Sequence, residues 1–375
     1  MYIAYIKKVL QYVYKPKYNF SLPKKKLLLL FDALSLELIN KSISKKKYGI
    51  LHVRKETLNI VILLRIFLKF KFTFKDYLVE YISVVSPKVI ITNNDNYIFF
   101  YQLKKKFKKI KFLVVQNGYR HKKELFFKEL KEAKKNNIFL EVDYFFCYGK
   151  SHSIILRKFI KFNPIILGSF RNNKNKILKF KNNNKKILFV SNYRSRNVKL
   201  LKNDYNVEKK FLPMLENFCE KFNISLNILG SSIIHAQEEK KYLLSALRNK
   251  NKVKFYNKKN DNNYKLIDKF KVIVFIDTTL GYEAFARRKK IAAFSWRKQK
   301  NLLIRPFGFP LIKKNKGFFF SNNDSESEVN RVLKNVIFKC NKNSYRYYFS
   351  SLEKLISYNE NNKIFFSIIN KILKS

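Results

Sequence analysis

Residues 271–296, KVIVFIDTTLGYEAFARRKKIAAFSW, read as strand, tight turn, helix and second strand. Val272–Ile276 is β-branched and aromatic throughout, the composition of a strand buried on both faces. Asp277, Thr278 and Thr279 then bring short polar side chains and backbone N–H groups to the point where a helix starts. Gly281 allows close backbone approach, and the pattern puts Glu283 in the helix's first turn. The cations at 287–290 suit a helix C-terminus, and 291–296 is a second buried strand. A polar turn at the carboxyl end of a parallel strand, opening a helix, is where open α/β sheets bind phosphate-bearing ligands.

The flanking chain repeats this rhythm. Upstream, strands are expected at 26–31, 48–53, 88–92, 111–115, 143–148 and 164–167, with helices at 32–44, 56–70, 74–85, 97–108, 121–136 and 151–160. The Asn/Lys-rich run at 171–185, RNNKNKILKFKNNNK, breaks the pattern and reads as a linker. Strands resume at 186–190, 225–229 and 253–256, and helices at 326–339 and 345–374 close the chain. Alternating strands and helices with short connections predict an α/β protein with parallel sheets. Two such halves around a linker describe a GT-B-like arrangement, two Rossmann-like domains facing across a cleft. The expected division is an acceptor-side domain at 1–175, a nucleotide-donor domain at 185–340, and C-terminal helices at 341–375 that cross back to the first.

At 375 residues and 46% apolar content, the chain is long enough for two cores and is not a disordered tail. Its net charge is +54, with lysine supplying all but 14 of the 80 basic residues. A lysine coat spread over the surface accounts for that balance, and attraction to an anionic membrane is the functional reading beside it. No specific nucleic-acid partner is expected, because no RNA-module motif and no aromatic-interleaved basic stripe occurs. Cys147, Cys219 and Cys340 show no metal-type spacing, and an odd number argues for a reducing compartment. The longest apolar candidate for a span, 59–68, holds Arg65 and is half of the ~20 residues needed. The first 17 residues are amphipathic and lack a cleavage site, so they read as a first helix or surface anchor and not as a signal peptide. The expected location is cytoplasmic, peripheral at the inner membrane.

The segment Asp277-Thr278-Thr279-Leu280-Gly281-Tyr282-Glu283-Ala284, followed by cations and an apolar strand, resembles the S-T-L-G-Y-E-A segment of bacterial surface carbohydrate biosynthesis proteins. These are GT-B-like transferases, distantly similar to capsule Kdo transferases and CDP-glycerol glycerophosphotransferases. Three more segments fit the same family in the same order: Val115-Gln116-Asn117-Gly118-Tyr119-Arg120, Asp143-Tyr144-Phe145-Phe146-Cys147-Tyr148-Gly149, and Leu167-Gly168-Ser169-Phe170-Arg171-Asn172-Asn173. The resemblance implies that Thr278, Thr279 and Glu283 bind the donor nucleotide. Two positions depart from the pattern: Thr278 stands where Ser is usual, and Arg288 where Gly is usual.

On chemistry alone, the Thr hydroxyls and helix N–H groups suit a phosphate, and the Glu283 carboxylate suits ribose hydroxyls. The same residues also make an ordinary favourable helix start. Gln116, Asn117, Gly118 and Arg120 form an acceptor-side loop, with Arg120 suited to an anionic group, or an Asn-Gly turn beside a solvated arginine. Arg194 and Arg196 follow a strand end and suit donor phosphate. Ser231 and His235 close another strand end with the same chemistry. The shortlist for a general base is Asp32, Asp95 and His121, each also readable as an N-cap or a surface group. No DxD-like motif sits at a strand end, so the reaction is expected to need neither metal nor cofactor, with a nucleotide-activated sugar as substrate and a glycan or lipid-linked acceptor. The alternatives are polyol-phosphate transfer of the CDP-glycerol type and a non-catalytic basic protein that binds nucleic acid or membrane.

Overall fold

The short apolar runs pair side by side in two separate parallel sheets. The computed structural model describes residues 16–39, 43–121, 124–180, 185–193, 207–257, 262–299, 302–303 and 305–374. In the first half β1 (Leu28–Phe31), β2 (Tyr48–Leu51), β3 (Val89–Thr92), β4 (Lys111–Val115), β5 (Glu141–Cys147) and β6 (Lys161–Ile166) lie in the order β2-β1-β3-β4-β5-β6. In the second, β7 (Lys186–Val190), β8 (Ser225–Leu229), β9 (Lys254–Tyr256), β10 (Val272–Ile276), β11 (Lys290–Phe294) and β12 (Phe320–Ser321) lie in the order β9-β8-β7-β10-β11-β12. All ten pairings are parallel. The second order is that of a doubly wound dinucleotide-type sheet, and its winding reverses between β7 and β10. The chain is therefore α/β with two Rossmann-like halves, the GT-B-like class. Every residue of β1, β3 and β10 is buried, as their unbroken apolar composition requires.

Three segments depart from the helices read in the sequence. The expected helix at 32–44 is only a 3-10 turn, Ala33–Leu38. Asp32 enters it with φ 91, and Ser35 bonds back to the Phe31 carbonyl, so a continuous helix cannot start there. The helix expected at 56–70 begins at Ile60, because Thr57–Asn59 pairs as a strand with Lys17–Asn19 and Asn59 then caps the helix. The helix expected at 345–374 is two helices, Lys342–Leu352 and Lys363–Lys374. Between them the backbone is taken up by the first half. Ser151 N–H donates to the Lys354 carbonyl (2.9 Å), Ser357 N–H to that of Tyr148 (2.8 Å), and Asn359 N–H to Asn173 Oδ1 (3.0 Å).

That return completes the first sheet's second face. Phe365 and Ile369 of the last helix pack with Leu28, Val89, Leu113 and Phe146. Gly149 and Gly168 make room for it. A Cβ on Gly149 would lie 2.4 Å from the Lys354 carbonyl oxygen, and one on Gly168 2.0 Å from that of Ser357.

The Asn/Lys-rich linker is clamped from the second half. Arg287, at the end of helix Thr279–Ala286, is fully buried and forms a two-point ion pair with Asp268. Its other N–H groups donate to Asn172 Oδ1 (2.9 Å) and to the carbonyls of Asn175 (2.8 Å) and Lys176 (3.0 Å). The next residue, Arg288, takes φ 64, and Lys289 N–H bonds the Ala284 carbonyl (3.1 Å). The helix thus ends through the left-handed turn that glycine usually makes, with the Arg288 guanidinium 4.1 Å from the centre of the Phe349 ring.

Candidate functional site

The turn after β10 is built around a buried charge. Asp277 takes φ 51 and turns its carboxylate inward, where Arg297 Nη1 lies 3.4 Å from Oδ2 and the same guanidinium pairs with Glu208. Burial pushes the Asp277 carboxyl up from its usual range, with Arg297 opposing. From β7, Asn192 Nδ2 donates to the Asp277 carbonyl (3.0 Å), tying together the two strand ends where the winding reverses. Thr278 caps the following helix, its hydroxyl oxygen accepting from Leu280 N–H (3.4 Å). Thr279 Oγ1 accepts from Tyr119 N–H of the first half (3.3 Å).

These threonines border a cavity of about 730 Å³ between the halves. Thr278, Thr279, Tyr264 and Glu283 line it from the second half, and Glu37, Asn117, Arg171 and Lys174 from the first. The volume is that of a site for a drug-sized or nucleotide-sized ligand. Arg171 holds Glu37 by two bonds, Nε to Oε2 (2.7 Å) and Nη2 to Oε1 (3.2 Å). Lys174 Nζ donates to the Glu37 carbonyl.

Several residues read from the sequence as ligand contacts have other engagements. Glu283 lies in the second turn of its helix, not the first, and is buried. Its Oε1 accepts from the Ser169 hydroxyl and its Oε2 from that of Tyr264 (3.1 Å), which makes it a bridge between the halves. Burial pushes the Tyr264 phenol well up, so it stays a donor. Gly281 is absent from the cavity wall, and a Cβ there would sit 2.2 Å from the Phe275 ring. Its close approach is to its own strand. Gln116 is buried, with Oε1 accepting from Tyr148 N–H (2.8 Å) and Nε2 donating to the Gly118 carbonyl (2.9 Å). Asn117 is exposed in the cavity, and Gly118 faces open space with Thr279 Oγ1 4.0 Å from its would-be Cβ.

The shortlisted bases are buried, and none lines the cavity. Arg120 and Asp95 bind each other through two N–H···O bonds away from the cavity wall. Asp32 caps the 3-10 turn through Leu34 N–H (2.9 Å) and holds Arg54 Nε (2.9 Å). His121 is held well below its ordinary pKa by burial and by the neighbouring Arg305 and is therefore neutral. Its ring packs against Tyr119.

In the second half, the loop after β8 supplies its own anion. Glu239 accepts from Ser231 N–H (2.7 Å), Ser231 Oγ (2.9 Å) and Ser232 N–H (2.8 Å), so the donors expected to meet phosphate already hold a carboxylate. His235 is exposed beside Glu238 (3.5 Å). Arg194 and Arg196 lie outside the described residues. Among the described residues no group of three His, Cys, Asp or Glu side chains is placed to hold a metal.

Two solved structures show the same fold across nearly the whole chain. A UDP complex of MnaA from S. aureus aligns with TM-score 0.53 at 12% identity, covering 93% of this chain and 97% of its own. A glycosyltransferase from Rickettsia africae aligns with TM-score 0.50 at 12% identity, covering 94% and 99%. No curated protein matches the sequence. Residues 113–373, more than two thirds of the chain, match the model of a family described as "putative O-antigen biosynthesis protein".

The chain belongs to this O-antigen biosynthesis family. Its sequence segments converge where the two halves meet. Tyr119 stacks on Tyr282, ring centres 3.6 Å apart, Ser169 meets Glu283, Asn172 meets Arg287, and Gly149 meets the returning C-terminal segment. The segments thus specify the junction that forms the cleft. The polar cleft residues given no site role in the sequence include Glu37, Arg171, Lys174 and Tyr264, although Arg171 stands in the family-like segment 167–173. Arg171 and Lys174 were hidden in what reads as a linker; the signal was Ser169, an N-cap that starts the short helix Phe170–Asn173.

Proposed function

We propose that this O-antigen family member is a GT-B-type glycosyltransferase that moves a sugar from a nucleotide-activated donor to a surface-glycan acceptor, free or lipid-linked. The observation that carries the reading is the cleft itself. One wall offers the hydroxyls of Thr278 and Thr279 at a helix N-terminus, and the facing wall offers Arg171 and Lys174. A diphosphate needs donors and positive charge on both sides, and developing charge on the leaving nucleotide is stabilised by the same groups. Glu283 uses both oxygens within the protein, and a carboxylate keeps further lone pairs for ribose hydroxyls.

Among the described residues the first half contributes one carboxylate to the cleft wall, Glu37. Arg171 holds it, and Asn93 Nδ2 donates to its Oε1 (2.5 Å). A donor diphosphate competes with Glu37 for Arg171. The carboxylate released from that pair then takes the proton of the acceptor hydroxyl as general base. Base availability is in this way tied to donor occupancy, and transfer requires no metal.

The test is a panel of UDP-, CDP-, CMP- and GDP-linked donors, with UDP compounds first because MnaA was solved with UDP. Thermal shift and calorimetry are expected to select one base, and transfer is expected to persist in EDTA. Selection of CDP-glycerol would replace sugar transfer with polyol-phosphate transfer at the same site. No response to any nucleotide would end the reading.

A further inference from the structure

Residues 64–73 read LRIFLKFKFT and surround the end of helix Ile60–Leu68. The helix buries Ile62 and Ile66 and leaves Leu64, Phe67 and Leu68 exposed. Beyond it Phe70 is 86% and Phe72 70% exposed. The rings of Phe67 and Phe72 meet edge to face, centres 5.9 Å apart, so these side chains form one patch.

The backbone there is as unusual as the exposure. Lys71 N–H bonds the Ile66 carbonyl (2.9 Å), and Phe70 occupies the left-handed position of that turn with φ 52. Glycine takes this position freely, and a bulky side chain does so against a steric penalty. The penalty here places an aromatic ring in water. Nothing within the described residues buries it, and an exposed, strained aromatic ring marks a surface with a use.

Charge names the partner. Residues 64–76 carry Arg65, Lys69, Lys71 and Lys75 against Asp76 alone. The nearby Glu80 is taken by Arg65 (2.8 Å) and Lys69 (2.6 Å). Cation and phenylalanine alternate from 69 to 72, a short aromatic-interleaved basic run that the sequence reading passed over, and the whole chain carries +54. Two copies of such a chain repel each other, whereas an anionic surface attracts it. No helix among the described residues is long and apolar enough to cross a membrane.

We propose that residues 64–72 are a docking face for an anionic lipid bilayer. Phe67, Phe70 and Phe72 enter the boundary between headgroups and acyl chains, and Lys71 meets lipid phosphate. The face belongs to the first half, which would hold that half against the surface. This inference stands apart from the transfer chemistry, since its readout is partition and not turnover.

The test is sedimentation of the full chain with phosphatidylglycerol/phosphatidylcholine vesicles and with phosphatidylcholine alone. The wild type is expected to partition at least tenfold better to the anionic vesicles. Phe67→Gln, Phe70→Asn and Phe72→Ser together should lower that partition at least tenfold with the melting temperature unchanged or raised, because asparagine tolerates the left-handed turn. A variant that binds within twofold of the wild type overturns the proposal. As a second measurement, an environment-sensitive dye on Phe70→Cys, in a Cys340→Ser background, should shift to the blue when anionic vesicles are added. A dye already blue-shifted and indifferent to vesicles means that protein covers the ring, residues 1–15 or a second copy, and also overturns it.

Discussion

His121 and His152 both pack against Tyr119, at ring distances of 5.2 and 4.5 Å. Burial lowers the pKa of each, that of His152 to about 4. An unfolded histidine titrates near 6.5, so between pH 6.5 and 4 the unfolded chain binds more protons than the folded one. The stability contributed by the neutral rings is complete above pH 6.5 and is lost as pH falls, at up to ~1.4 kcal/mol per pH unit for each ring. Thermal melts from pH 7.5 to 4.5 should show this loss, and His152→Gln should flatten it. Identical slopes for the two proteins would contradict the assignment. Gly281 gives a second residue-scale prediction. Gly281→Ala sets a methyl against Phe275 and should cost about 1–3 kcal/mol in denaturant unfolding. Adding Phe275→Leu should restore part of that. A cost confined to nucleotide binding, with stability intact, would mean the glycine faces the ligand after all.

At the scale of elements, Arg287 clasps both Asp268 and the linker carbonyls. Arg287→Ala leaves Asp268 buried without its ion-pair partner, with only the Leu178 N–H bond remaining on its carboxylate among the described contacts, and should destabilise the protein by about 3–5 kcal/mol in denaturant unfolding. A change below ~1 kcal/mol would show that the linker is held by other contacts. The strands 111–115, 186–190 and 272–276 were legible residue for residue, because each carries an unbroken apolar run, as a buried parallel strand does. The helices at 32–44 and 345–374 were not. The stretch 353–362, EKLISYNENN, holds no proline or glycine to stop a helix, but the first half withdraws that backbone from helical bonding, and such a contact has no local signature. The same limit hid the site. Asp95, Arg120 and Glu283 have the chemistry of ligand groups, and only their partners, 25 and 114 positions away, show that they are engaged.

Over the whole molecule, the family's sequence segments build a junction, and the junction leaves a cleft with Thr278 and Thr279 at a helix N-terminus on one wall and Arg171 and Lys174 on the other. The fold class was readable because the alternation of strands and helices is a property of the chain's order. The facing wall was not, because Glu37 and Arg171 meet across 134 positions of sequence. If Glu37 is the base, Glu37→Gln should lower turnover by about 10²–10⁴ while nucleotide affinity holds or rises, which single-turnover assays resolve. Unchanged turnover would assign the base elsewhere. The central claim is that the donor's phosphates lie between Thr278–Thr279 and Arg171–Lys174. Calorimetric titration of UDP, CDP and GDP into the wild type and into the Arg171→Ala/Lys174→Ala double variant tests it most directly. The account predicts that one nucleotide binds the wild type and that the variant binds it at least tenfold more weakly, a loss of ~1.4 kcal/mol or more. Equal affinity in the two proteins would contradict it.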